Sequence, residues 1–431
     1  MSILSDSLFA AVRNAYPGLE LPLSSRFAPL YSLGVGELSS TAAVELARIT
    51  KRPADEIARV LIDILGRSIV AEWRQDNGYL IASQLPARCL LAELPDSFSF
   101  KNEAHIRPPY IAVLGEATDP VYARIRLLGR ALLQALLSVV YSGPTFVVIP
   151  EVSLEVVQVV SKSDVIDLFR HATKVALDSA DRLSPDFSEF LDVFSSDGSP
   201  LSRVIWASHR CLDRLSSSNR GRLFELRRSG VTEVIAPNDG WLLSRERSLS
   251  NLLSVAAIAR VVERLETLGQ DGWGRFLFHC SSSTLSGDFD PAVALFDESA
   301  SPLWNMRALI ERYERFLGGI VGLKMPLSRD SLSEDIDAIA RVEVKEVRQL
   351  ILQSLFMPLY TRRAVFQSEV QIWCDAFESL ARRGHLFMNA PATRLALIDV
   401  ADSRSASEQS DRVCKIASSL GFGLSSILGV I

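Results

Sequence analysis

The chain has 431 residues, 48% hydrophobic and 23% charged, a balance that excludes wholesale disorder and matches ordinary globular proteins. At roughly 150 residues per domain, that length predicts two to three domains. Lys and Arg number 46 against 51 Asp and Glu, a net charge of −5, which excludes a polycation that coats nucleic acid over its whole surface.

The first seventeen residues, Met1–Pro17, carry no basic region ahead of an apolar run, so no signal peptide is expected. Ser5–Ala15 reads as a short helix stopped by Pro17-Gly18. A second helix follows Ser40 or Thr41 and runs to about Ile49, with Ala43, Leu46, Ala47 and Ile49 inward. After the turn at Lys51-Arg52, Pro53 opens a third helix to about Leu65, where Ile57, Val60, Leu61, Ile64 and Leu65 recur at helical spacing. Two alternating strands, Ile69–Arg74 and Tyr79–Ala82, flank Asn77-Gly78, a dipeptide suited to the positive φ of a tight hairpin turn.

Helix, turn, helix and β-hairpin in this order resemble the winged helix-turn-helix superfamily over about residues 28–84. The resemblance implies a second helix laid in the DNA major groove with the hairpin beside the backbone. The bases there are Arg48, Lys51, Arg52, Arg59, Arg67 and Arg74; the acids Glu45, Asp55, Glu56, Asp63, Glu72 and Asp76 equal them in number. Because phosphate neutralisation supplies most non-specific affinity, DNA and a protein partner both stand as expected occupants, with Arg48, Lys51, Arg52 and Arg59 as the weaker nucleic-acid contacts.

From Tyr110 onward, β-rich runs alternate with helical stretches. The runs are Tyr110–Leu114, Thr145–Ile149, Val156–Val160, Arg203–Ala207, Val231–Ala236, Arg275–His279, Ala292–Phe296 and Arg394–Val400. The helices include Val121–Tyr141, Ser163–Ala180, Asn219–Ser229, Ser248–Leu268 and Pro302–Leu317. Unbroken apolar strands joined by helices predict an α/β fold, a mostly parallel sheet with helices on both sides. Ala131–Ile149 is uncharged over nineteen residues, but Gly143-Pro144 divides it into a helix-like and a strand-like part, so no membrane span is expected. The expected organisation is a winged-helix-like domain over 1–95, a hinge over 96–109 and an α/β body over 110–330. A helical segment, 331–431, then ends in a strand–helix unit packed on the body.

Ligands in open α/β sheets bind beyond the carboxyl ends of strands. Polar residues there include Glu116, Glu151, His209, Asn238 and Asp402. The candidate catalytic set is Asp239, His279, Asp297, Glu298 and Asp399, of which the carboxylates suit Mg²⁺ or general-base work. No GxSxG, GxxxxGK[ST] or GxGxxG motif occurs, the five histidines show no metal-ligand spacing, and the Ser-rich FHCSSST run lacks a nucleophile motif. Cys89, Cys211, Cys280, Cys374 and Cys414 form no CxxC pair, which fits a reducing cytoplasm. Arg outnumbers Lys 39 to 7, the bias of a GC-rich bacterial genome.

Charge supplies the densest local feature. Asp178–Asp197 has six acids and one base, whereas Arg203–Arg228 has seven bases and two acids. Arg210, Arg214, Arg220, Arg222, Arg227 and Arg228 are the main candidates for nucleic acid or another anionic ligand, since planar guanidinium forks suit phosphate. The expected function is a cytoplasmic, DNA-associated winged-helix protein with an α/β sensor or interaction body. It would act as a regulator or as a non-catalytic subunit of a DNA-processing or defence complex, without cofactor and in a homo- or hetero-oligomer. The alternative is a nuclease or phosphohydrolase using Mg²⁺ at strand-end carboxylates.

Overall fold

A computed structural model describes residues 3–19, 21, 28–29, 38–67, 69, 71–83, 109–115, 119–178, 190–191, 203–228, 232–236, 255–282, 292, 295, 308, 311 and 345–391. The chain divides into two compact units. One comprises Met1–Ser97, Ala308–Leu359 and Ser379–Ser426; the other comprises Phe98–Arg307, Tyr360–Glu378 and Ile427–Ile431.

In the first unit, α1 (Ile3–Ala15) is followed by the short strands β1 (Ala28–Pro29) and β2 (Leu38–Ser40), then by α2 (Ala42–Thr50) and α3 (Ala54–Gly66). Leu46, Ile57, Leu61 and Leu65 are fully buried and form the core, but Ile49 and Val60, expected inward, are exposed, because each lies at the margin of its helix's apolar stripe. Lys51 ends α2 in the left-handed conformation at φ 59°, and its N–H donates to Ala47 O. β3 (Glu72–Asp76) and β4 (Tyr79–Ser83) pair antiparallel, Asp76 opposite Tyr79. Asn77 and Gly78 both have positive φ, and a Cβ on Gly78 would lie 2.6 Å from Ala54 Cβ. The turn needs glycine twice over, for its backbone angle and for its room. Sheet order is β1-β2-β4-β3.

The second unit is built on β5 (Tyr110–Leu114), β6 (Thr145–Ile149), β7 (Ser153–Val159), β8 (Arg203–Ala207) and β9 (Thr232–Ile235), in the order β7-β6-β5-β8-β9. β6, β5, β8 and β9 run parallel; β7 is antiparallel to β6. The architecture is therefore mixed α/β with a mostly parallel sheet and C-terminal helices. α4 (Val121–Tyr141) carries the chain from β5 to β6 and is buried almost throughout. α5 (Lys162–Asp178) and α8 (Val255–Ser281) pack on α4 and on each other. On the opposite face, Tyr110, Ala112, Leu114, Ile205 and Ala207 share a cluster with Cys211, Leu215 and Leu223 of the α6 (His209–Arg214) and α7 (Ser217–Arg228) region. Period-two alternation along β5 and β8 thus gives each sheet face its own helices. No described helix is long and apolar enough to cross a membrane.

α9 (Lys345–Phe366) and α10 (Val370–Asn389) follow, and their turn with its flanking residues belongs to the second unit. There Trp373 Nε1 donates to Thr361 Oγ1 at 3.0 Å, and Phe278 meets Trp373 and Phe377. Gln134, buried on α4, donates to Val365 O and Ser368 Oγ and accepts from Trp206 Nε1 at 2.8 Å. One amide thus ties helix, sheet and hairpin turn.

Two strand readings need correction. Arg275–His279 is helical, within α8. Phe276–Ser282 is buried at every residue, so no polar face marks a 3.6-residue period there. Val156–Val160, expected in the sheet interior, belongs to the exposed edge around β7. Most of Ala292–Phe296 and Pro302–Leu317, and all of Arg394–Val400, lie outside the described residues.

Candidate functional site

The chain leaves β5 through α4 toward β6, then returns past β5 to place β8 on its other side. Strand order therefore reverses between β5 and β8, where open parallel sheets form a crevice beyond their carboxyl ends. At that edge Ser208 N–H donates to Leu114 O at 3.0 Å, holding the two strand ends together. Ser208 Oγ caps α6 by accepting from Cys211 N–H.

Three short segments supply the polar groups. Gly115 follows β5, and a Cβ there would fall 2.2 Å from Glu151 Oε1, so a larger residue would push that carboxylate from its place. Glu151 follows β6 and binds Arg124 Nη2 of α4 at 2.7 Å; both side chains are nearly withdrawn from solvent. Arg124 Nη1 also donates to Ala176 O. A pair buried this deeply is retained because removing either partner strands the other charge. Asp119, 8% exposed, lies just before α4, and Arg210 Nε on α6 stands 3.8 Å from its Oδ1. Arg210 is itself 46% exposed. One guanidinium is therefore locked in the floor while the other reaches the surface.

Of the Arg cluster, Arg210 and Arg214 occupy α6 one helical turn apart; Arg220 and Arg222 lie on α7. Arg214 and Arg220 are exposed, and Arg220 Nη2 donates to Asp213 O. Phe224, one turn beyond Arg220, is also exposed. The side chains of Arg227 and Arg228 lie outside the described residues, as does most of the Asp178–Asp197 acidic block. In the first unit, Arg48 pairs with Glu45, Arg52 with Glu56 and Arg67 with Asp63, each within its own helical neighbourhood. Lys51 and Arg59 are exposed there.

Asp239, Asp297, Glu298 and Asp399 lie outside the described residues, together with Glu116, Asn238 and Asp402. His279 requires correction: it is buried in α8 rather than poised at a strand end. The neighbouring serines are likewise interior. Ser281 Oγ donates to Leu277 O, and Ser282 O accepts from Arg126 Nη2. Burial raises the Cys280 thiol above its ordinary range, although Arg126 and Arg130 oppose the shift; Cys374 moves the same way for the same first cause. Such thiols are poor nucleophiles. Among the described residues, no group of three His, Cys, Asp or Glu side chains could hold a metal ion. Sequence reading had selected Glu151 and Arg210 but missed Asp119 and Arg124. Asp119-Pro120 at a helix start was a readable signal, whereas Arg124 is masked by the apolar run around it.

No protein-family profile matches the chain, and no curated protein matches its sequence. Among solved structures, Thermus thermophilus arginyl-tRNA synthetase is similar over 99% of this chain and 98% of its own, at 12% identity and a TM-score of 0.47. Neither the expected DNA-associated winged-helix regulator or complex subunit nor the nuclease or phosphohydrolase alternative is supported by that comparison, and neither is carried further. At this score the likeness assigns this chain neither an activity nor a substrate.

Proposed function

We propose that the α/β unit binds a small phosphorylated molecule in the crevice between β5 and β8. The observation that carries this reading is the half-exposed Arg210 guanidinium beside the buried Asp119 carboxylate at the reversal of strand order. Arg210 and Arg214 would take the phosphate, for which a guanidinium fork is the best-matched side chain. Asp119, whose carboxylate can only accept, would take the O–H of a hydroxyl on the same molecule. The buried Arg124–Glu151 pair beneath them holds the crevice floor.

Isothermal titration against a nucleoside, its 5′-monophosphate and inorganic phosphate tests this. The monophosphate should bind most tightly, and Arg210→Ala should weaken it at least about tenfold, the loss of one charge-assisted contact. Equal binding of nucleoside and monophosphate would sink the reading. So would an Arg210→Ala variant that binds like the wild type.

For the first unit we infer a winged-helix module that docks on protein. Supporting this are the element order β2, α2, α3, β3, β4 and the pairing of Arg48, Arg52 and Arg67 with neighbouring acids. Bases already neutralised release few counterions from a duplex. Fluorescence anisotropy on duplex DNA should therefore show little change in salt slope for R48A/R52A/R67A. Abolished binding in that variant would make the module a DNA reader.

A further inference from the structure

We propose that the outer face of α6 and α7 binds single-stranded nucleic acid, Phe224 stacking against a base while Arg214 and Arg220 hold phosphates. Phe224 is 65% exposed, and among the described residues of α6 and α7 it is the one large hydrophobic side chain left in solvent. α7 has no need of it for packing: Leu223 is buried in the cluster on that face of the sheet, and Leu226 packs against the same cluster. Arg214 and Arg220 are exposed as well. From Arg210 to Arg228 the sequence sets six arginines against Asp213 and Glu225.

These groups form a row. Arg220 and Phe224 are four residues apart on α7, so they are neighbours on one face, with Cβ atoms about 5–6 Å apart. Arg220 Nη2 donates to Asp213 O, which lays its guanidinium across the last turn of α6 next to Arg214. That bond uses one guanidinium N–H and leaves others for phosphate. Arg210 stands one turn before Arg214 on α6, so the row runs from the crevice edge to the exposed ring. Ser217 and Ser218, exposed between Arg214 and Arg220, add hydroxyl donors for phosphate or sugar oxygens.

The mixture of groups selects the occupant. Guanidinium groups answer phosphates and the ring answers a base, and single-stranded nucleic acid offers both, with its bases unstacked. A duplex hides its base faces in the stack, so the ring would meet nothing. A bilayer would reward several apolar side chains on one face, and here one stands among charges. A protein interface is depleted of charge at its core, whereas Arg220 one turn before Phe224 and Glu225 directly after it are both exposed. The surface adjoins the crevice but does not depend on what the crevice binds.

Fluorescence anisotropy of the full chain with a labelled oligothymidylate of about 12 nucleotides is the test. Phe224→Ala should weaken binding at least about fivefold, the lower bound for one stacked base. Phe224→Leu should lose as much, because it keeps apolar bulk without a ring face, and Phe224→Trp should bind at least as tightly as wild type. Arg220→Ala should lower the slope of log affinity against log salt by about 0.7, the release from one single-strand phosphate. Both sites are exposed, so Tm should stay at the wild-type value. Phe224→Ala should leave nucleoside monophosphate binding in the crevice unchanged, which keeps the two sites distinguishable. No binding by wild type, a Phe224→Leu variant that binds like wild type, or binding of phosphatidylserine vesicles in place of the oligonucleotide would each overturn the proposal.

Discussion

Gly129, midway along α4, sits where a Cβ would come 2.6 Å from Cys280 Cβ, closer than carbon atoms approach. Neither partner has room to retreat, because both helices are buried there. Gly129→Ala is therefore expected to destabilise the protein by about 1–3 kcal/mol, the range for overpacking. Urea unfolding should show a lower midpoint at unchanged slope; an unaltered midpoint would contradict this. Glu266 makes a different residue-scale case. Desolvation acts to raise its pKa, but Lys174 and Arg170 hydrogen-bond its carboxylate and hold it below the ordinary value of 4.5. Its contribution is complete above that ordinary value and disappears as pH falls through the lower folded one. All three side chains are partly exposed, so Glu266→Gln should cost about 0.5–1 kcal/mol at neutral pH. The Tm gap between variant and wild type should close as pH falls below the ordinary carboxylate range; a gap that persists would show that the charge is not its source.

At the scale of elements, the Gln134 amide joins α4 to β8 and to the turn between α9 and α10. Gln134→Leu fills the space but deprives Trp206 Nε1 and Val365 O of this partner, at about 1–3 kcal/mol for each group left unsatisfied. Loss of near-ultraviolet dichroism should accompany that destabilisation; a variant as stable as wild type would mean that water replaces the amide. The same helix illustrates what was legible. Val121–Tyr141 and the three strands Tyr110–Leu114, Thr145–Ile149 and Arg203–Ala207 could be read to the residue, because turn signals bound each apolar run. Arg275–His279 could not, since a helix buried all round has no polar face to declare its period. For the site, Glu151 was legible from its place after a strand and Arg210 from the density of arginines around it. Their partners Arg124 and Asp119 come from elsewhere in the chain, and only the folded topology brings them together.

For the whole molecule, burial ranks the parts of the α/β unit by how readily they open. α4 is shielded by the sheet on one side and by α5 and α8 on the other, whereas β7 stands open at the rim. Hydrogen exchange should be slowest in α4 and β5 and much faster in β7. Equal protection of β7 and β5 would contradict this ranking. α4 also sets a problem of timing during synthesis. Its apolar stretch leaves the ribosome well before α8, the helix that covers it and contributes Cys280 beside Gly129. At translation rates of 5–20 residues per second, the interval is on the order of ten seconds. For that time the nascent chain presents a long greasy helix without its cover, a natural client for a chaperone and a point where truncated products would aggregate.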